Sequence, residues 1–383
     1  MMNILKNKRI LIFLRSFEIG GAERQAVMLA NYLKREEKVK VAVWAYSPPG
    51  PILKLLDKGI SYKSIPFDLE SQKPGNEKMR KRGLWKLAIR IFLFRPDIIM
   101  PLTITPNVDC GYVWRWTGAK GCIWNQRDEF FNFLDKEIEN FGFHNALVYI
   151  SNSKKGKQLI EENLKDKKKP VYHISNAVKI SPAKKEGRQW RADLGIDADS
   201  FVAVMIANLH ENKDHENLIK AWKIVINEIG GANKPTLILA GRFDGTQDKL
   251  KELANNLGIS EQVIFPGFTD DIAGIIRASD LGVFSSKKEG CPNGVLECMA
   301  AGLPVVATDI MGTREALGND YSFCVPISNP REFADKILEL MDNEALRKEI
   351  GLKNFRRIKE FFSPNTCFRK YGDVLKGIIS HNK

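Results

Sequence analysis

Short apolar runs rich in valine and isoleucine, each followed by a longer stretch of helical period, recur along this chain and constrain its fold more than any other feature. Arg9 to Leu14 leads into the helical pattern Ala22 to Leu33 and then Val39 to Trp44. Ser61 to Ile65, Asp97 to Met100, Gly121 to Trp124, Leu147 to Ile150 and Val171 to Ile174 continue the series. Strands buried on both faces read as continuous apolar runs, so the pattern predicts a parallel sheet wrapped by helices. A lysine-rich segment from Lys179 to Arg191, containing Pro182 and Gly187, interrupts it and reads as a linker. The alternation restarts at Phe201 to Ile206 and runs through Thr236 to Ala240, Gln262 to Phe265, Leu281 to Phe284, Pro304 to Thr308 and Ser322 to Val325. Leu218, Ala221, Trp222, Val225 and Ile229 fall on one helical face between the first two of these. At 383 residues the chain exceeds one compact core. The expectation is α/β, with two doubly wound, Rossmann-like domains over 1–180 and 181–362 facing a cleft. A terminal helix over 363–383 packs back on the first domain. In such sheets ligands bind beyond the carboxyl ends of the strands, so the loops there are where chemistry is sought.

Charge is unevenly spread. Residues 1–180 hold 32 Lys plus Arg against 18 Asp plus Glu, whereas the remainder holds 27 against 28. A basic half suits an anionic partner such as a lipid headgroup or a diphosphate, and surplus lysines that serve only solubility are the alternative. From Lys78 to Arg95, basic residues Lys78, Arg80, Lys81, Arg82, Lys86 and Arg90 accompany two apolar stripes. Leu84, Leu87, Ala88 and Ile91 form one, and Trp85, Ile89 and Phe92 the other. One stripe packs on the sheet; the second either enters a membrane interface or is covered by neighbouring loops.

Cys110, Cys122, Cys291, Cys298, Cys324 and Cys367 show no paired metal-ligand spacing and read as buried, reduced thiols of a cytoplasmic protein. Only five apolar residues, Ile10 to Leu14, follow Lys6, Lys8 and Arg9, too few for a signal-peptide core. No uncharged apolar stretch approaches the roughly 20 residues that span a bilayer, so any membrane contact is expected to be peripheral.

The segment from Ala278 to Asp309 is the densest in chemistry. A strand ends near Ser285, a loop follows, and a helix begins near Asn293, which sets Glu289 in the loop and Glu297 in the first turns of the helix, seven residues between them. A helix leaves its first four N–H groups unpaired, and its dipole favours negative charge there, so the backbone of Gly290 to Gly294 suits sugar hydroxyls or a phosphate. A carboxylate one turn in can accept from vicinal hydroxyls, as an acid grips ribose in dinucleotide folds. Two acids beside a helix start also occur together by accident.

This arrangement, followed by Met299, Ala300, Ala301, Gly302, Leu303, Pro304, Val305, Val306 and Ala307, resembles the signature of retaining GT-B glycosyltransferases of family four. Gly20-Gly21-Ala22-Glu23 after the first strand is similar to that family's first loop, and Gly267-Phe268 with Asp270 and Asp271 to another block. The resemblance implies an acceptor-binding first domain, a donor-binding second domain, and closure that excludes water. It implies that Glu297 binds the nucleotide ribose and that Glu289 lies beside the donor sugar, with Gly290, Cys291, Pro292 and Asn293 supplying contacts to that sugar. The resemblance further implies that Lys213 neutralises the donor diphosphate, that Gly241 and Arg242 join the donor side, that Gly21 lets the other domain approach, and that Gly20 sits on the acceptor side.

Expelling a nucleoside diphosphate develops negative charge that a metal, cations or oriented N–H groups must stabilise. The one Asp-x-Asp triplet, Asp197-Ala198-Asp199, reads as a surface turn, which leaves Lys213 and the helix dipole, with no cofactor and no metal expected. Two positions depart from the family pattern. Asn208 stands where members carry an arginine, with Arg242 or His210 as candidates to compensate. The acceptor-side histidine is absent from Trp124-Asn125-Gln126-Arg127-Asp128-Glu129, where Arg127 and Asp128 either meet the acceptor or pair with each other. His144, His173 and His215 read as core or surface histidines. No nucleic-acid reader motif appears, and no Gly-x-Gly-x-x-Gly follows the first strand.

The expected activity is transfer of a hexosyl or N-acetylhexosaminyl group from a nucleotide sugar, UDP-sugar over GDP-sugar, to a saccharide or lipid-linked saccharide in cell-surface polysaccharide synthesis. The expected place is the cytoplasm, at the inner face of the plasma membrane, with peripheral contact to anionic lipid. A sugar-nucleotide-binding protein without activity and a nucleotide-sugar epimerase of the same fold are the alternatives.

Overall fold

The computed structural model describes residues 3–66, 76–127, 137–179, 182–230 and 234–381. It comprises two compact units, Met1–Ala177 with Pro364–Lys383, and Val178–Ser363.

The first unit is a seven-stranded parallel sheet in the order β3-β2-β1-β4-β5-β6-β7. Its strands are β1 Arg9–Leu14, β2 Lys40–Ala45, β3 Ser61–Ser64, β4 Ile98–Pro101, β5 Gly121–Gln126, β6 Val148–Ser151 and β7 Val171–His173. Helices α1 Gly21–Arg35, α2 Glu77–Phe94, α3 Ile104–Val113, α4 Glu137–Asn145 and α5 Lys154–Asn163 make the crossovers. Every side chain of β1 after Arg9 is buried, as a strand covered on both faces requires. In α1 the residues Ala26, Val27, Leu29, Ala30 and Leu33 form the inward stripe, with Lys34 and Arg35 at the carboxyl end, where the helix dipole favours cations. Helix α2 stops at Arg95, which adopts a left-handed φ of 55° ahead of Pro96.

The second unit is a six-stranded parallel sheet in the order β10-β9-β8-β11-β12-β13. Its elements are α6 Gly187–Asp193, β8 Val202–Ile206, α7 His215–Ile229, β9 Thr236–Ala240, α8 Gln247–Asn256, β10 Val263–Gly267 and α9 Ile272–Arg277. There follow β11 Leu281–Phe284, α10 Asn293–Ala300, β12 Val305–Thr308, α11 Met311–Leu317, β13 Cys324–Val325, α12 Pro330–Met341 and α13 Glu344–Arg357. A π-helical turn, Ile358–Phe362, ends α13, and Pro364 opens α14 (Pro364–His381), where its missing N–H and fixed φ cost nothing. The buried face of α14, with Cys367, Phe368, Tyr371, Leu375 and Ile379, belongs to the core of the first unit.

Leu218, Ala221, Trp222 and Val225 of α7 are buried, but Ile229 in its last turn is exposed. The inner stripe of α2 is buried, while Trp85, Ile89 and Phe92 are exposed rather than covered by neighbouring loops. Arg80 departs from the other basic residues of α2. It turns inward, donating to Asp109 of α3 at 3.3 Å and to Glu139 of α4 at 3.0 Å, both acids buried. Tyr46, just past β2, donates its hydroxyl to the same Asp109 at 2.6 Å. Burial pushes the Asp109 carboxyl up from the usual range, opposed by the guanidinium of Arg80. All six cysteines are free thiols, five of them buried. Among the described residues no helix is long and apolar enough to cross a membrane.

Candidate functional site

In the second unit the chain order reverses between β8 and β11, which lie side by side in the sheet. Helices leave these two strands in opposite directions, so a crevice opens at their carboxyl ends. The loop after β8 brings Asn208 and Lys213 there, and the loop after β11 brings Glu289, Gly290, Cys291 and Pro292. Lys213 and Glu289, 76 residues apart in the chain, meet as an ion pair through Nζ and Oε1, their side chains 24% and 14% exposed. The Lys213 ammonium also lies 5.4 Å from the ring centre of Phe284.

The two loops are sewn together around this pair. Lys287 N donates to Asn212 O at 2.9 Å, and the Ser286 hydroxyl lies 2.9 Å from the same carbonyl and 3.2 Å from Glu289 Oε1. Asn217 of α7 donates to Ser285 Oγ at 3.2 Å. Short turns hold the lysine: Asn212 N donates to His210 Nδ1 at 3.2 Å, and Asp214, with a left-handed φ of 47°, starts α7.

Helix α10 starts against the end of β8, and a Cβ on Gly294 would overlap the Ile206 carbonyl. Only glycine permits that approach. Pro292 precedes the helix, and its own side chain makes no cap hydrogen bond. Gly290, Cys291, Pro292 and Gly294 are buried at this start, and Asn293 and Glu297 are half-buried. Glu297 lies on the fifth residue of α10, one turn in from the loop that carries Glu289.

The position of Asn208 has a local consequence. Its Oδ1 accepts from Arg242 N at 3.3 Å, and Leu209 N donates to Arg242 O at 2.8 Å, so the Arg242 side chain leaves the end of β9 beside Asn208. Gly241 permits this, because a Cβ there would overlap the Ala207 carbonyl. The Arg242 Nε is buried with no partner among the described residues.

His215, the first residue of α7, is 2% exposed, and neither ring nitrogen has a partner among the described residues. Burial, and then the charge of Lys213, lowers its pKa to about 3, so it is neutral at physiological pH. The Asp270 and Asp271 block has a structural use. Asp271 accepts from Gly274 N, Lys184 N, Lys185 N and Trp190 Nε1 at 2.8–3.1 Å and fixes the chain's entry into this unit. Asp197 and Asp199 lie exposed in a turn. Among the described residues no group of three or more His, Cys, Asp or Glu gathers in a way that could hold a metal ion.

In the first unit the reversal falls between β1 and β4. Gly20 is the N-cap of α1 and Gly21 its first residue. Arg127, just past β5, donates to Asn176 Oδ1 at 2.8 Å and to the Tyr371 hydroxyl of α14 at 2.9 Å, and its Nε is buried without a partner among the described residues. Its nitrogens are thus largely committed to neutral groups that tie β5 to the terminal helix. Asp128 lies outside the described residues. Thr103, after β4, was not singled out by pattern. It has a φ of 73°, costly for a β-branched side chain, and a buried hydroxyl without a partner among the described residues.

The family model of glycosyl transferases group 1 matches residues 186–357. The chain is similar to EpsD of Bacillus subtilis (strain 168), named as a glycosyltransferase, at 32% identity over 49% of this chain and 48% of that one. It is also similar to the UDP-Gal:alpha-D-GlcNAc-diphosphoundecaprenol alpha-1,3-galactosyltransferase of Escherichia coli, at 26% identity over 46% of each. The chain thus spans about half the length of these curated relatives. In fold it matches Anabaena HepE, solved in complex with UDP-glucose, with a TM-score of 0.81 at 21% identity over 96% of this chain and 99% of that one.

Proposed function

We propose that this chain, a GT-B glycosyltransferase of group 1, moves a hexosyl or N-acetylhexosaminyl group from a nucleotide sugar to a lipid-linked saccharide, with retention at the anomeric carbon. The observation that carries the reading is the meeting of Lys213 and Glu289 at the β8–β11 reversal, one helical turn from Glu297. Glu297 accepts from the ribose hydroxyls. The backbone N–H groups at the start of α10, together with Glu289, take the hydroxyls of the sugar. As the glycosidic bond to phosphate breaks, charge grows on the leaving diphosphate, where a preorganised ammonium and helix dipole act in a partly dry site. Lys213 is held ready for that position by Glu289, and Arg242 supplies the cation that Asn208 does not.

A UDP-sugar is the proposed donor, supported by the UDP-glucose bound to HepE. A lipid diphosphate acceptor is supported by the printed substrate of the Escherichia coli galactosyltransferase and by the basic first half of the chain. It places the reaction at the cytoplasmic face of a membrane, with Gly20, Arg127 and Asp128 on the acceptor side.

The test begins with thermal melting against UDP- and GDP-sugars, since a ligand that binds only the folded state raises its melting temperature. With the stabilising donor, Glu297→Ala is expected to weaken binding about 10- to 100-fold, the range for a charged hydrogen bond, while Glu289→Gln mainly lowers kcat. Wild-type kinetics in both variants would remove the assignment. Asn208 favours one other reading, a nucleotide-sugar-binding protein without activity. Donor hydrolysis in the absence of acceptor separates the two.

A further inference from the structure

The outer face of α2 has no partner in its own unit. Trp85, Ile89, Phe92 and Leu93 are 60, 51, 51 and 71% exposed, on the side opposite the buried stripe. Trp116, 47% exposed in the 3-10 turn Trp114–Trp116, enlarges the patch by stacking on Trp85 with ring centres 5.6 Å apart and planes at 14°. Contiguous exposed apolar groups of this kind mark an interaction surface rather than ordinary solvent-facing side chains.

The charges beside the patch are mainly positive, with Glu77 as the acid of the same helix and Glu137 paired to Lys81. Lys78, Arg82 and Lys86 are exposed on the same helix, and no acidic partner reaches them among the described residues. On a helical wheel Lys78, Arg82, Trp85 and Ile89 make a single row, spaced i, i+4, i+7 and i+11.

The 3-10 turn carries the surface into a second feature. Its Arg115 lies over the Trp114 ring at 4.7 Å, and both residues line a groove of about 1040 Å³ between the amino ends of β5 to β7 and helix α14. Lys120, Lys168 and Lys370 line this groove together with the apolar Ile174 and Val374, and Asp373 is the one acid among its lining residues.

We infer that the outer face of α2, Trp116 and the adjoining basic groove together dock on an anionic phospholipid bilayer, the indoles and aliphatic side chains entering the interface and the groove taking lipid phosphate. Tryptophans settle at the membrane–water boundary, and an apolar face flanked by lysines and arginines is held there by two additive forces. A second copy of the chain fits poorly, because a two-fold contact through this face sets Lys78, Arg82 and Lys86 against their own images. Single-stranded nucleic acid would use the indoles for stacking but would leave Ile89, Phe92 and Leu93 in water. The inference rests on the lipid-linked acceptor of the proposed function for its purpose, and on α2 and the groove alone for its binding.

The test is sedimentation of the full chain with vesicles of phosphatidylglycerol and phosphatidylcholine, against vesicles of phosphatidylcholine alone. Binding is expected to the anionic vesicles and to weaken as salt rises. Trp85→Ser with Phe92→Ser should abolish it. Lys78→Gln, Arg82→Gln and Lys86→Gln combined should weaken it about a hundredfold, and Lys168→Gln with Lys370→Gln about tenfold. These side chains are exposed or groove-lining, so melting temperature and donor-induced stabilisation should stay at wild-type values. Equal binding to both vesicle types, or variants that sediment like wild type, would overturn the inference. So would concentration-dependent dimers lost in the Trp85 variant, or capture of single-stranded RNA in place of vesicles. Vesicle binding without any nucleotide-sugar response would instead count against the transfer reading and leave the docking surface intact.

Discussion

Acidification should destabilise the second unit through His215, and the size of the effect follows from its surroundings. The folded protein holds the ring neutral, with a pKa of about 3 against an ordinary 6.5, because burial and then Lys213 oppose the charged form. The unfolded chain binds a proton near pH 6.5, so between that value and about pH 3 the unfolded state carries more protons than the folded one. Stability therefore rises with pH across this window and is lost as pH falls through it, reaching a plateau below the folded pKa. At pH 5 the loss is about 2 kcal/mol, from roughly 1.4 kcal/mol per pH unit, and at pH 4 about 3 kcal/mol. For a unit of this size 2 kcal/mol corresponds to about 4–8 °C in melting temperature. Other histidines and carboxylates contribute to any acid transition, so the informative quantity is the difference between wild type and His215→Leu. Leucine removes the titration together with two buried nitrogens that have no partner among the described residues. Scanning calorimetry from pH 7.5 to 4 should show the wild-type transition falling faster than that of the variant. Lys213→Met should give an intermediate slope, since it removes the second cause and leaves the first. Parallel pH profiles for wild type and His215→Leu would refute the reasoning.

Two further outcomes follow from the side chains around each sheet. Arg242→Ala should weaken UDP binding about 10- to 100-fold by titration calorimetry if its guanidinium meets the diphosphate, and Asn208→Arg should recover part of that loss. Arg80→Met leaves Asp109 and Glu139 buried without their cation, so a loss of about 3–5 kcal/mol is expected in the unfolding of the first unit, measured by urea titration.

The sheets were legible because a parallel strand covered on both faces carries its own signature, as in Ile10 to Leu14 or Val202 to Ile206, and needs no knowledge of its neighbours. The glycines at 241 and 294 were legible as motif members but not as packing constraints. What excludes a side chain there is a carbonyl of β8 or the loop after it, far away in sequence. Arg80 shows the limit of reading charge locally. On the helix it resembles Lys81 and Arg82, yet its partners lie 29 and 59 residues onward on α3 and α4, and only tertiary packing reveals that it is interior. Its neighbours in the outer row of α2 show the converse. Periodicity found the second stripe, but whether loops cover it was a question of burial, and burial leaves it open to solvent.

The candidate site lies between these cases. A motif with seven residues between its acids marked Glu289 and Glu297, and a resemblance marked Lys213, but neither explains why an ammonium from one loop stands against a carboxylate from another. The strand order does. Because β8 and β11 are neighbours with crossovers departing to either side, the first residues past each converge, and the charged side chains Lys213 and Glu289, like Asp214 and Lys287, meet across the two loops. His215 follows from the same placement. His215, the first residue of the helix that begins there, is buried two residues from that lysine, so its imidazole is kept neutral by exclusion of water and then by its neighbour's charge. The acid sensitivity of the fold and the cation proposed to stabilise the leaving group thus have one structural origin.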